Sequence, residues 1–187
     1  MGTANYWLFV PTVFCENRNL DVIREALHTQ LGYTVTDKYK QKTSLLLELY
    51  RSGADINTAD LDIKESLVAT KRVFKNVDGI KFLNHQGGCG GTRQDAAMLS
   101  KLLAAYADHP NVAGITILSL GCQNLQTQNL LDDIKQRNPA FNKPLYVFEQ
   151  QQSQSEEQLV TEAIRKTFAG LIEINKFERQ PATLDKL

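Results

Sequence analysis

The sequence predicts a three-layer α/β fold, Rossmann-like or flavodoxin-like, in which helices flank a parallel sheet. Three observations carry that expectation. Short apolar runs rich in β-branched and aromatic residues recur at Tyr6–Phe14, Gly79–Asn84, Val112–Leu120 and Leu145–Glu149. Amphipathic stretches of helical period separate them. The connections beside these helices are short, which favours parallel pairing through right-handed crossovers.

The first run, Y-W-L-F-V-P-T-V-F, is mostly apolar and suits a strand covered on both faces. Pro11 withholds an amide from the ladder, so the strand is expected to bend or loosen there. Leu20, Ile23, Ala26, Leu27 and Leu31 share one helical face, with Asn17 or Asn19 as the expected cap and Gly32 as the stop. Between about residues 33 and 77, two helical patterns, Lys40–Ser52 and Asp62–Lys75, flank the turn S-G-A-D-I-N-T-A-D, and this segment reads as a helical insertion. A helix is predicted over Arg93–Ala107. Thr92 and Asp95 stand at the spacing of a capping box, with Asp in place of the usual Glu or Gln. Further helices are predicted at Leu125–Arg137 and, after the polar stretch Q-Q-Q-S-Q-S, at Glu156–Ile174. Residues 1–187 are read as a single α/β domain.

The totals narrow the function classes. The 187 residues hold 21 basic and 21 acidic side chains, so the formal net charge is zero. No basic patch or charged tail argues for nucleic acid. No apolar run approaches the ~20 residues of a membrane span, and the start lacks a signal peptide's n- and h-regions. A cytoplasmic location is expected. Three cysteines, Cys15, Cys89 and Cys122, are an odd count for a disulfide framework. His28 reads as a surface or boundary side chain and His109 as a turn residue. Asp132-Asp133 and Glu156-Glu157 read as solvated helix faces, and Trp7 as core.

The stretch N-H-Q-G-G-C-G-G-T-R-Q-D, residues 84–95, lies between a predicted strand and a predicted helix. Three readings compete. A phosphate cradle fits poorly: Arg93 stands where a dinucleotide fingerprint needs its third glycine, and no Lys or Ser/Thr follows as in a P-loop. A substrate carboxylate at Thr92 and Arg93, on the helix N-terminus, stays open. A cysteine nucleophile would use Cys89 near that N-terminus with His85 four residues before it, but leaves the other two thiols idle. In the metal reading, Cys15, Cys89 and Cys122 follow three strands whose carboxyl ends share one sheet edge. Thiolates converging there suit iron or an iron–sulfur cluster, with His85 as a further ligand or a base, and the glycines let the backbone come close. Three unrelated buried thiols are the plain alternative.

The segments N-H-Q-G-G-C-G-G, A-Y-A-D-H-P-N-V-A-G and L-G-C-Q-N-L-Q, with the opening G-T-A-N-Y-W-L-F-V-P-T-V-F-C, resemble the second domain of the altronate dehydratase/D-galactarate dehydratase family of sugar-acid hydro-lyases. The likeness covers residues 2–31 and 77–187. The family usually reads L-G-C-E where this chain has Gln123. The resemblance implies elimination of water from altronate, or from galactarate, to a 2-keto-3-deoxy acid. It implies Fe2+ or Mn2+, which would grip the substrate carboxylate and polarise the leaving hydroxyl. Cys15, Cys89, Cys122 and His85 are then the expected ligands. His85 doubles as the candidate base, and Arg93 and Gln126 are expected to hold substrate oxygens. The expected partners are a small sugar acid, the remaining domains of a longer enzyme, and a second copy in a homodimer. A domain cut from such an enzyme can lack activity alone. A non-catalytic assembly module with buried cysteines is the rival from another class.

Overall fold

The computed structural model describes residues 2–34, 38–62 and 71–183. Four strands form one parallel sheet: β1 (Tyr6–Pro11), β2 (Gly79–Phe82), β3 (Val112–Ser119) and β4 (Leu145–Glu149), in the order β2-β1-β3-β4. The register pairs Phe9 with Phe82, Pro11 with Leu118, and Ser119 with Glu149. Helices α1 (Asn17–Leu31) and α5 (Glu156–Ile174) cover one face, and α3 (Arg93–Asp108) and α4 (Thr127–Arg137) the other. This is the expected three-layer arrangement.

Alternation along β1 builds both halves of the core. Trp7 and Phe9 face α1 and α5 among Leu20, Ile23, Leu118 and Leu171. Leu8 and Val10 face α3 and α4 among Leu103, Ile115, Ile117 and Leu130. Trp7 is core, as expected, and its placement depends on two bare backbones. A Cβ on Gly114 or Gly170 would stand 2.2 or 2.1 Å from its ring. The indole N–H donates to Thr116 Oγ1 at 3.0 Å, which satisfies the ring's one polar atom.

Pro11 is the last residue of β1, so the proline ends the strand rather than bending it. Neither Asn17 nor Asn19 caps α1. A 3-10 turn over Phe14–Glu16 leads in, Glu16 takes the N-cap position, and Asn19 instead donates to Glu16 Oε2 at 2.9 Å. Gly32 closes α1 in the left-handed conformation. The expected capping box is present at Thr92 and Asp95.

The segment between α1 and β2 begins with α2 (Lys38–Ser52), which buries no residue. The second helix expected there, Asp62–Lys75, falls partly on residues 63–70, outside the described residues. Residues 71–75 are not helical. The Val73 amide bonds to Leu31 O at the end of α1, and Phe74 and Val77 are buried in the α1–α5 core. Burial of Phe74 against the main fold overrides the local helical pattern. The last part of the segment therefore belongs to the sheet's own packing.

Polar side chains close the amino-terminal edge of the sheet. Asn5 N–H donates to Asp78 Oδ2 and Asn5 Nδ2 to the carbonyls of Asn76 and Ile174, at 2.7, 2.7 and 3.0 Å. Asn76 N–H donates to Asn175 Oδ1 at 2.9 Å and Asn76 Nδ2 to the Asn175 carbonyl at 2.7 Å, and Arg179 pairs with Asp78 at 2.6 Å. Among the described residues no helix is long and apolar enough to cross a membrane.

Candidate functional site

The strand order dictates where a ligand fits. The chain leaves β1 toward β2 on one side and returns past β1 to β3 on the other, so the connections diverge at the carboxyl ends of β1 and β3. Open α/β sheets bind ligands in such crevices. Cys15 lies in the 3-10 turn after β1, Cys89 in the loop after β2, and Cys122 in the loop after β3. The topology therefore brings all three to one edge. All three are free and exposed, which removes the reading of buried thiols.

The glycine loop is stitched to both neighbouring loops. Phe14 N–H donates to Gly87 O at 3.0 Å and Leu125 N–H to Gly88 O at 3.1 Å. Asn124 Nδ2 donates to Cys89 O at 2.8 Å. Gly88 adopts φ +101°, and a Cβ there would meet Thr12 O at 2.1 Å. Only glycine fits both the conformation and the space. At the loop's root, His85 Nε2 bonds to Pro11 O at 2.8 Å, Gly87 N–H donates to Nδ1 at 3.2 Å, and Asn17 Nδ2 donates to His85 O at 2.8 Å.

On the β3 side, Gln123 is buried and builds the turn. Its Oε1 accepts from Gly121 N–H at 2.7 Å, and its Nε2 donates to Ser119 Oγ at 2.8 Å. The Gln126 carboxamide donates to the Gln123 carbonyl. Between α3 and the start of α4 lies a cleft of about 710 Å³, whose lining includes Arg93, Ser100, Lys101, Cys122, Gln126 and Asp133. Arg93, Cys122 and Gln126, separated by up to 33 residues of chain, thus share one wall system. Asp133 is not simply a solvated helix face: it accepts from the buried Ser100 hydroxyl and ties α4 to α3. Thr92 and Asp95 are engaged with each other, and the Thr92 N–H and hydroxyl hold the Asp95 carboxyl below its usual range. A carboxylate already sits on that helix end, so Thr92 is not available to a substrate anion, and Arg93 is the remaining cation there.

Glu16 was not anticipated. It is fully buried beside Cys15, and desolvation pushes its carboxyl above the ordinary value while Asn19 partly offsets this. Its Oε1 has no partner, and neither do Asn17 Oδ1 and Thr127 Oγ1 near the starts of α1 and α4. Nothing in F-C-E-N-R-N distinguishes a buried Glu from a solvated helix start. Among the described residues the one distant group known to act on it is the Glu156 carboxylate, which raises it further.

The family described as D-galactarate dehydratase/altronate hydrolase, second domain, matches residues 1–175. The chain belongs to that family. Searches of curated proteins and of solved structures gave no match. The family's description names sugar-acid enzymes, so this second domain is part of the sugar-acid dehydratase/hydrolase class.

Within this second domain the expected metal ligands share an edge without forming a metal set. Among the described residues no three His, Cys, Asp or Glu side chains are grouped so as to hold an ion. Both ring nitrogens of His85 are engaged with backbone atoms, so the ring presents no free lone pair outward. The described residues do not fit a self-contained iron, manganese or iron–sulfur centre.

Proposed function

We propose that this chain is the domain of a sugar-acid hydro-lyase that holds the acid in the α3–α4 cleft while water is eliminated from altronate. Galactarate, with a carboxylate at each end, is the second substrate considered. The observation that carries the reading is the convergence of Arg93 and Gln126 on one cleft, at the carboxyl end of β3. Guanidinium binds carboxylate bidentately, which suits Arg93 to the acid end of the substrate. The Gln126 carboxamide uses its N–H₂ on the Gln123 carbonyl, which orients its oxygen for a substrate hydroxyl. Lys101 adds a second cation on the same wall, and Asn129 a further polar group. Elimination needs the proton beside the carboxylate removed and the hydroxyl at the next carbon expelled. Fixing the carboxylate and hydroxyls on one wall aligns those two groups, and such alignment lowers the barrier by removing rotational freedom. The base and the remaining domains of the longer enzyme complete this reading, with a homodimer as the proposed assembly.

The test uses the enzyme that contains this domain, assayed for 2-keto-3-deoxy product from altronate and from galactarate. Arg93→Ala is expected to raise KM by about one to two orders of magnitude, the loss of one charged hydrogen bond pair. Gln126→Ala is expected to do less. Unchanged kinetics in both variants would remove the cleft from the reaction.

A further inference from the structure

His85 stands at the root of the glycine loop, and its ring has one acceptor and one donor in use. Nδ1 accepts from the Gly87 amide at 3.2 Å, so the ring proton resides on Nε2, which donates to the Pro11 carbonyl at 2.8 Å. The His85 carbonyl accepts from Asn17. Pro11 ends β1 and Asn17 opens α1. The residue thus ties the loop bearing Cys89 to both sides of the turn bearing Cys15.

We propose that His85 is a positioning residue: its neutral imidazole, protonated at Nε2, clamps the glycine loop onto the end of β1 and holds the Cys89 segment beside the cleft. The proposal rests on the reading of this edge as the working site and gives the histidine a role other than base or metal ligand there. The side-chain chemistry explains the choice of residue. Lysine and arginine offer donors only, and a carboxylate offers acceptors only. Imidazole carries one of each on a rigid ring, so a single side chain can bond a carbonyl on one strand and an amide in the next loop. The loop needs such a clamp because Gly87, Gly88, Gly90 and Gly91 supply no side chains to pack, and glycine loses more backbone freedom on ordering than any other residue. The two amide bonds to its carbonyls, from Phe14 and Leu125, depend on the loop staying in register. A base must offer its lone pair to a substrate proton, and here the Gly87 amide occupies it.

The tautomer and the clamp are both measurable on this chain without substrate, so failure of the dehydratase reading would leave this test intact. Imidazole proton–nitrogen NMR spectra are expected to show Nε2 protonated and Nδ1 bare at neutral pH. In His85→Ala, hydrogen exchange of the Phe14 and Leu125 amides is expected to accelerate roughly tenfold or more, the loss of about one hydrogen bond's free energy. In His85→Gln, whose carboxamide keeps a donor and an acceptor, the acceleration is expected to stay under about threefold. The Ile117 amide, in the middle of β3, is expected to be unchanged in both. An Nδ1-protonated ring, or Phe14 and Leu125 exchange unmoved by His85→Ala, would overturn the proposal. If the alanine variant does not fold, the wild-type tautomer and the glutamine variant decide it. In the enzyme that contains this domain, His85→Gln is expected to keep kcat within about tenfold, whereas loss of a general base removes ~10²–10⁴-fold and would overturn it.

Discussion

The two edges of the sheet are built from similar residues and put them to opposite use. At the amino-terminal edge Asn5, Asn76, Asp78, Asn111 and Asn175 bond to the chain itself. Asn111 Oδ1, for example, receives the amides of Thr3 and Ala4 at 2.7 and 3.2 Å. At the carboxyl-terminal edge the stitched loops leave three thiols exposed and a cleft open. Among the described residues four buried side-chain atoms lack a partner, and three of them, on Glu16, Asn17 and Thr127, lie at this second edge. Buried polar groups are normally satisfied, so such orphans mark where structure has been subordinated to something else. One edge is a closure; the other is a presentation surface.

The sharpest break in that contrast is Gly88→Ala. A Cβ at 2.1 Å from Thr12 O, on a residue at φ +101°, is expected to destabilise the fold by ~3 kcal/mol or more and to loosen all three loops. Gly53→Ala is the control: it shares a positive φ of 75° but meets nothing within 4 Å, so only the conformational cost of ~1 kcal/mol is expected. Thermal unfolding of both variants checks the difference. Equal losses would mean that the close approach at Thr12 contributes nothing.

Asp78→Ala tests the closed edge. It removes the acceptor of Asn5 N–H and the partner of Arg179, with an expected cost of ~1–3 kcal/mol by denaturant unfolding and no change at the cleft. At the open edge, Glu16→Gln is expected to act in the other direction. Burial raises the Glu16 carboxyl, so the folded chain favours the protonated form. The stability that form contributes is present at acid pH and declines as pH rises above the ordinary value of 4.5. The neutral glutamine keeps an acceptor for Asn19 and is expected to raise stability at pH 7 by ~1 kcal/mol, with the advantage shrinking below pH 4.5. A loss of stability at pH 7 would show that the charge is wanted.

The smallest effect concerns Tyr33, whose hydroxyl donates to Phe74 O and Val77 O at 3.3 and 3.2 Å beside the closed edge. Desolvation pushes it up from 10.0 to about 12. Its contribution is complete below pH 10 and is lost as pH climbs toward 12. Tyr33→Phe is expected to flatten that alkaline decline in a pH series of unfolding midpoints.

Much of this architecture was legible in the residues. The four strands, α3 with its capping box, and the common edge of Cys15, Cys89 and Cys122 follow from periodicity and from parallel topology. What escaped is what depends on contacts between distant segments. Residues 71–75 have a helical pattern, yet Phe74 finds the α1–α5 core instead. Asn17 and Asn19 look like caps, yet one reaches the His85 carbonyl and the other Glu16. His85, beside a cysteine and four glycines, has the composition of a reactive site. Only the positions of Pro11 and Gly87 reveal that both ring nitrogens are engaged. Sequence spacing placed these groups on one edge; it carried no information on which lone pairs remain available there.

The most direct test of the open edge is an amide NMR titration of this chain with altronate and, separately, galactarate. Shifts are expected to concentrate at Arg93, Cys122, Gln126 and their neighbours, with Asn5, Asn76 and Asn175 unmoved. Shifts centred on those asparagines, or a spectrum unchanged by either acid, would contradict that expectation.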